Sequence, residues 1–469
     1  MTIIRVDLQI YLTYSSSVNE EEFHEKFYEI ERELDLQSKE IQGIKFWDAV
    51  KTTAYDQITS QKSIRDDNSS NEVSYTRRFL LALKNIVRKN PFLGRSAQYL
   101  FFTSGRRERE GEEYIDKIAD PVIDLLEGKS ILFERAFSPG EKHFKPAYTR
   151  NVRYVDFIEF GSMPLRYLQK AGLEDEEKKL LESIEGKLYE EFECEIDLTN
   201  LVKTRITRRK ALVPIYKILL KLYRPKAVFI WPYTRFEVVE AASKLEIPTI
   251  ELQHGFIHQN HPDYAGYKKN NSDYIADYLF SWGDYWVKEN VFRTDVETVG
   301  FPYLERKKKE LGDGESEAIL FISQWAYGEK LSKFAAKVSD EMDQNVLYKV
   351  HPNLSSDWEE KYPWLEESEV EVLEGIGLYE AFQRSSCQVG INSTALFEGI
   401  AFGLPTMLFE EEGLDSTLNI ENGEGIQRIK NVGQVMEFLE SKKSVSIDSS
   451  RFFEENPTSQ IKSKLDEVV

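Results

Sequence analysis

The chain has 469 residues, 61 of them Lys or Arg against 81 Asp or Glu, which leaves a net charge of −20. That balance argues against nonspecific nucleic-acid binding, which needs clustered cations to neutralise phosphates. The length is more than one ordinary core supports, and an apolar fraction of 41% with 13% aromatics can fill two, so a globular protein of two domains is expected.

The amino-terminal stretch "MTIIRVDLQIYLTYSSS" carries Arg5 and Asp7 and lacks a secretory apolar core. No later segment reaches the roughly 18 uncharged apolar residues of a membrane span. Cys194 and Cys387 form no metal or redox spacing and read as buried thiols in a reducing compartment. A cytoplasmic protein is expected, with contact at most peripheral on the inner face of the membrane. Three basic runs survive in the acidic background: "VRKNPFLGR" (87–95), "KTRITRRK" (203–210) and "ERKKKE" (305–310). Each is either a solvated face or a contact for an anionic acceptor or membrane surface.

In chain order, residues 1–95 are charged and helix-patterned, with a polar loop at 60–72, and form a helical N-terminal extension without visible chemistry. From 96 to 305 short apolar runs alternate with helical stretches. "QYLFFTSG" (98–105) opens the series, a helix at 112–127 comes next, and then "SILFERAF" (130–137), "RYVDFIEF" (153–160), "KAVFIWP" (226–232), a helix at 235–245, "PTIELQHG" (248–255), "DYLFSWGDYW" (277–286) and "VETVGFPYLE" (296–305). After a charged linker, "RKKKELGDGESE" (306–317), the alternation resumes to residue 469. Its strands are "AILFISQ" (318–324), "NVLYKVHP" (345–352), "VEVLEG" (370–375), "CQVGINS" (387–393) and "PTMLFE" (405–410). Strands alternating with helices predict an α/β chain with parallel sheets covered on both faces, and ligands in such folds bind at the carboxyl ends of the strands.

Two of these strand ends carry the chemistry. In "NSTALFEGIAFGLP", Ser393 and Thr394 stand where a strand hands over to a helix, so their hydroxyls and the free N–H groups of the first turn suit a phosphate or merely cap the helix. Glu398 lies one turn further on the same face, within reach of a ribose diol. In "LYKVHP", Lys349 and His351 point to the same side of their strand, and Pro352 ends it. His351 suits a phosphoryl oxygen, with Lys349 adding charge, and Gln324 joins this set from the end of "AILFISQ". A third stretch, "ELQHGFIHQNHPDYAGY", holds His254, His258 and His261, but its glycine and proline favour a loop over the helix that a metal site with that spacing needs. No Asp-Xaa-Asp, dinucleotide glycine fingerprint, phosphate loop or serine elbow occurs, so no metal and no bound cofactor are expected.

Together "QHGFIH", "SWGDYW", "VGFPYLE", "KVHP" and "NSTALFEGIAFGLPTMLFE" resemble the GT-B glycosyltransferases of bacterial and archaeal surface-polysaccharide synthesis, chiefly the capsule-polysaccharide and sialyltransferase-like groups. The resemblance runs from about residue 226 to 410. It implies two Rossmann-like βα domains facing a cleft: an acceptor domain at 96–305, and a nucleotide-sugar-binding domain at 306–469 that ends in a helix. In sialyltransferase-like and Kdo-transferase-like enzymes a His-Pro pair and a later Ser/Thr pair hold the phosphate of a CMP-sugar. By similarity His351 with Pro352, and Ser393 with Thr394, take these roles, and Glu398 matches an acidic residue used on the donor ribose. The same arrangement resembles that of the polyol-phosphate transferases of wall teichoic acid synthesis, which use CDP-linked donors. The acidic-acidic-glycine base motif of the sialyltransferases is missing.

The expected activity is therefore metal-independent transfer of a sugar from a nucleotide donor, a CMP-sugar by preference, to a saccharide or lipid-linked acceptor, with no nucleic-acid partner. His351 would meet the charge of the departing nucleotide, and a base would take the acceptor proton. His254 is the first candidate for that base and Glu251 the second. A polyol-phosphate transferase, a nucleotide-sugar epimerase and a non-catalytic scaffold of a polysaccharide assembly complex are the alternatives.

Overall fold

The computed structural model describes residues 20–62, 75–94, 96–136, 150–232, 235–257, 261–266, 272–288, 292–312, 317–324, 327–351, 357–411, 425–441 and 448–469. The chain divides into two compact units. The first takes Glu21–Gln61, the described part of Asp67–Glu310, and Ser450–Val469; the second is built on Leu311–Ser449.

Helices α1 (Glu20–Glu33), α2 (Phe46–Lys62) and α3 (Tyr75–Lys84) open the first unit, giving the helical amino-terminal region expected. Its sheet starts with β1 (Tyr99–Phe102), followed by a hairpin of β2 (Glu108–Glu110) and β3 (Glu113–Ile115) turning on Gly111 at φ +61°. Next come α4 (Ala119–Leu125), β4 (Ser130–Glu134), β5 (Val152–Tyr154), α5 (Asp156–Leu168), α6 (Asp175–Phe192) and α7 (Leu198–Tyr223). β6 (Ala227–Ile230), α8 (Phe236–Ser243), β7 (Thr249–Leu252), β8 (Tyr278–Ser281), β9 (Asp295–Thr298) and α9 (Pro302–Leu311) complete the alternation. Seven strands pair in the order β5-β4-β1-β6-β7-β8-β9, all parallel. Runs such as "YLFF" and "AVFI" are buried along their whole length, as a strand covered on both faces must be. Phe101 stacks on Phe229 of the neighbouring strand at 4.4 Å, and Phe102 on Phe133 at 4.7 Å.

The second unit repeats the plan. It contains β10 (Ile319–Ile322), α10 (Gly328–Glu341), β11 (Val346–Lys349), α11 (Trp358–Lys361), β12 (Glu371–Val372), α12 (Leu378–Gln383), β13 (Cys387–Gly390), α13 (Thr394–Ala401), β14 (Thr406–Phe409), β15 (Ile426–Ile429) and α14 (Val432–Ser441). The six strands are parallel in the order β12-β11-β10-β13-β14-β15. Helix α15 (Pro457–Val468) closes the chain.

Several elements differ from the sequence expectation. "RYVDFIEF" is strand only at its start; α5 begins at Asp156, whose carboxylate accepts from the Ala136 amide and so pins the helix start beneath β4. The predicted helix at 112–127 is shortened by the hairpin. The charged linker is helical as far as Leu311, because Pro302 sits at a first helical position where its missing N–H costs nothing, and Arg306 and Lys307 bond Glu110. The terminal helix, expected with the carboxyl-terminal domain, returns to the first unit. Trp286 Nε1 donates to the Phe452 carbonyl at 2.6 Å, and Glu454 N to the Trp282 carbonyl at 2.7 Å. Gly283 permits this return, since a Cβ there would lie 2.5 Å from the Arg451 and Phe452 backbone.

A buried polar network ties the amino-terminal helices to the first sheet. Glu31, fully buried on α1, accepts from Lys51 Nζ at 2.8 Å, Trp47 Nε1 at 3.1 Å and Gln37 Nε2 at 3.0 Å. Lys51 also donates to the Ala265 carbonyl at 2.8 Å. Asp48 pairs with Arg293, which donates to the Asp263 carbonyl at 2.8 Å, and Tyr264 Oη donates to Glu251 at 2.7 Å. Burial pushes the Lys51 amine down to about 8, against the pull of Glu31. It pushes the Glu251 carboxyl up to about 8, against the Tyr264 hydrogen bond and assisted by the Asp263 charge.

Removing one partner of a buried pair strands the other charge. Lys51→Ala should cost about 3–5 kcal/mol, read as a fall in the urea midpoint, and Glu31→Leu with Lys51→Met should not restore it fully, because Trp47 Nε1, Gln37 Nε2 and the Ala265 carbonyl then lose their partners. The Glu251 carboxyl carries a second prediction. Its folded value of about 8 exceeds the ordinary 4.5, so its contribution to stability is whole below 4.5 and lost as pH rises through about 8. Glu251→Gln should therefore flatten the decline in melting temperature between about pH 5 and about pH 9; an unchanged decline would show that this carboxyl is not its source.

Candidate functional site

In the second unit β10 is the first strand and β13 the fourth, so the sheet runs 3-2-1-4-5-6 in chain order. The order reverses between β10 and β13, and successive connections leave toward opposite faces there. In open α/β sheets ligands bind outside the carboxyl ends of the two strands at such a reversal. Gln324 comes after β10 and Asn392 after β13, and the two side chains span the reversal: Gln324 Nε2 donates to Asn392 Oδ1, and the Asn392 amide donates to Gln324 Oε1 at 3.1 Å.

Helix α13 starts at this point. Ser393 is its N-cap, with Oγ accepting from the Ala395 amide at 3.3 Å, so this hydroxyl serves the helix as well as facing the strand end. The Thr394 hydroxyl is different: Oγ1 is buried and has no partner among the described residues. Such a group costs free energy unless something else satisfies it. The hydroxyl stands at the positive end of the helix dipole, where the Ala395 and Leu396 amides already donate to Ser393. Gly399 sets the position of this helix, because a Cβ there would stand 2.1 Å from Gln388 Oε1 on β13. Gly403, at φ +81°, terminates the helix.

β11 flanks β10 on the other side and ends at Lys349, in register with Ile322. His351 lies two residues further on. Both side chains are half-buried. Parallel strands lie about 4.8 Å apart, so the ends of β11 and β13 are about 10 Å apart with Gln324 between them. The fold thus brings Gln324, Lys349, His351, Ser393 and Thr394 to one edge. Pro352 lies outside the described residues. Glu398 is placed otherwise than expected for a ribose contact: it is 2% exposed on the inward face of α13, and its Oε2 accepts from Tyr379 of α12.

The first unit has an equivalent edge, with its reversal between β1 and β6. After β1, Thr103 Oγ1 donates to Glu134 at 3.0 Å, Arg107 pairs with the same carboxylate, and Gly105 turns the chain at φ +76°. After β6, Trp231 Nε1 donates at 3.0 Å to Asp116, a carboxyl that burial pushes up to about 7. The Trp231 and His254 rings lie 5.7 Å apart. Desolvation lowers the His254 imidazole to about 4, with a Leu252 backbone hydrogen bond opposing and the Arg106 charge assisting, so the ring is neutral at pH 7. Its Nδ1 is buried without a partner among the described residues. Glu251 does not share these surroundings, being bound into the network beneath the amino-terminal helices. His258 lies outside the described residues, and His261 Nδ1 stands 3.5 Å from Asp263 in that same network.

Sequence reasoning missed Asn392 and the "TSGRR" turn at 103–107. A glycine flanked by hydroxyls and arginines directly after the first strand was the available signal for the turn. Nothing in the sequence showed that Asn392 would pair with Gln324, 68 residues away.

Residues 220–418 match the model of the LIC12162 family transferase. Each of the candidate residues named from sequence falls inside that segment, and the class is the one expected, a transferase. No curated protein matches the chain. Among solved structures, the chain is similar to the UDP-GlcNAc 2-epimerase of Methanocaldococcus jannaschii in complex with UDP-GlcNAc and UDP, at 13% identity and TM-score 0.46, over 79% of this chain and 99% of that one. It is similar to the glycosyltransferase SnogD of Streptomyces nogalater at 12% and 0.41, over 80% and 100% of the two chains. It is also similar to the wall teichoic acid polymerase TagF at 12% and 0.38, over 84% and 93%. At these scores the likenesses bear on neither donor nor reaction.

Proposed function

We propose that the chain is a glycosyltransferase with a nucleotide-linked donor, and that the donor's phosphate is received at the β10–β13 edge of the second unit. The observation that carries this reading is the Thr394 hydroxyl, buried and unpartnered among the described residues at the start of α13. A phosphate oxygen satisfies that hydroxyl at the positive end of the helix dipole, and Lys349 and His351 supply charge and a further donor from β11. As the bond to the sugar breaks, negative charge builds on the departing phosphate; donors already held by the fold stabilise that charge without reorganising. The reading asks for no divalent cation. Its finer part is a CMP-sugar donor and a saccharide or lipid-linked acceptor in surface glycoconjugate synthesis.

His254 is the proposed base. Its Nδ1 has no partner among the described residues, so an acceptor hydroxyl placed there would be the group that completes it.

Thermal unfolding with CMP, CDP, UDP and GDP tests the reading. One nucleotide at about 100 times its dissociation constant should stabilise the second unit by about 2.7 kcal/mol. Thr394→Val should leave the nucleotide-free protein as stable or more so, because the hydroxyl lacks a partner among the described residues, yet weaken the nucleotide's effect. A loss of stability without nucleotide would assign Thr394 to the fold instead. His351→Ala should lower turnover roughly 100-fold. Failure of every nucleotide to stabilise the chain would favour the scaffold reading, and isomerised donor formed without acceptor would favour an epimerase.

A further inference from the structure

The three basic runs have different fates. Arg208 and Arg209 of "KTRITRRK" are spent on Glu159, Glu237 and Glu240, and Arg306 and Lys307 of "ERKKKE" on Glu110. The described part of "VRKNPFLGR", residues 87–94, instead lies within an open apolar surface of the first unit. Leu80 of α3 and Val87 and Leu93 beyond it are 59%, 73% and 59% exposed; Tyr167 and Leu168 of α5 are 74% and 77% exposed, and Ile218 of α7 is 62% exposed. These elements are neighbours. Phe79 packs edge-on against Phe160 at 5.2 Å, joining α3 to α5, and Tyr223 at the end of α7 donates to the Pro91 carbonyl at 2.6 Å.

Charge identifies the occupant. Between Tyr75 and Lys89 stand five Lys and Arg and no Asp or Glu, and between Ala211 and Lys226 four and none, in a chain of net charge −20. Lys84, Arg88, Lys221 and Arg224 are exposed beside the apolar side chains. A second copy of the chain would set like charges against each other across a two-fold contact. A bilayer with anionic headgroups takes both features: leucine, valine and tyrosine enter the boundary between headgroups and acyl chains, and the cations meet the phosphates. α3, of 10 residues, is too short to span and suits that boundary.

We propose that α3, the segment after it and the exposed ends of α5 and α7 form a docking surface for an anionic lipid bilayer. This goes beyond the donor reading and does not rest on it. The full chain should sediment with vesicles of phosphatidylcholine containing about a third phosphatidylglycerol, not with phosphatidylcholine alone, and added salt should release it. Leu80→Glu with Val87→Glu should reduce the bound fraction by about tenfold or more, as should Lys84→Glu with Arg88→Glu. Both variants alter exposed positions, and their unchanged melting curves and unchanged response to nucleotide would separate a lost surface from a lost fold. Absence of binding to anionic vesicles would overturn the proposal, as would variants that bind like the parent. A dimer that Leu80→Glu converts to monomer, without vesicle binding by either form, would assign the surface to a second copy.

Discussion

A parallel sheet whose strand order reverses cannot cover its own reversal. Connections on the two sides leave toward opposite faces, and the residues just past those strand ends are left facing outward. In the second unit that constraint collects a helix start, a hydroxyl without a partner among the described residues and the ends of three adjacent strands at one place. Gln324 and Asn392 brace it by bonding across the reversal. The chemistry assigned to Thr394, Lys349 and His351 comes from position: each stands at the carboxyl end of a strand or one residue beyond the helix cap.

The first unit uses its polar groups differently. Its buried charges mostly pair with one another, as Glu31 with Lys51, Asp48 with Arg293 and Glu134 with Arg107. Such pairs are weak sources of net stability, because desolvation offsets most of the attraction, but breaking one is costly. They fix how α1 and α2 lie on the loop at 261–266 and on Arg293, and they draw Glu251 into that assembly. His254, three residues from Glu251, lies beside Trp231 instead, with a neutral imidazole.

Much of this was legible in the sequence because strands buried on both faces read as unbroken apolar runs. "YLFF", "AVFI", "ILFI" and "TMLF" give four of the central strands directly. β15 was missed because "IQRI" interrupts its apolar pattern with two half-buried polar residues. α9 was read as a linker because its lysines and arginines look solvated until Glu110 is brought to them. The site was legible to the extent that it sits at strand ends, which local pattern reveals. Whether a given polar side chain is spent or spare was not legible, since it depends on partners far away in sequence. Glu398 is taken by Tyr379 and Glu251 by Tyr264, whereas the neighbouring Thr394 hydroxyl is left over among the described residues.

If a phosphate completes the α13 edge, a nucleotide and its parent nucleoside must differ in affinity. Calorimetric titration of whichever nucleotide binds, set beside that nucleoside, reads the difference. The nucleoside should bind more weakly by at least about tenfold, as expected when charge-assisted hydrogen bonds to a phosphate are lost. Equal affinities would mean that the phosphate touches nothing the protein has prepared for it, and the role assigned to the α13 edge would be wrong.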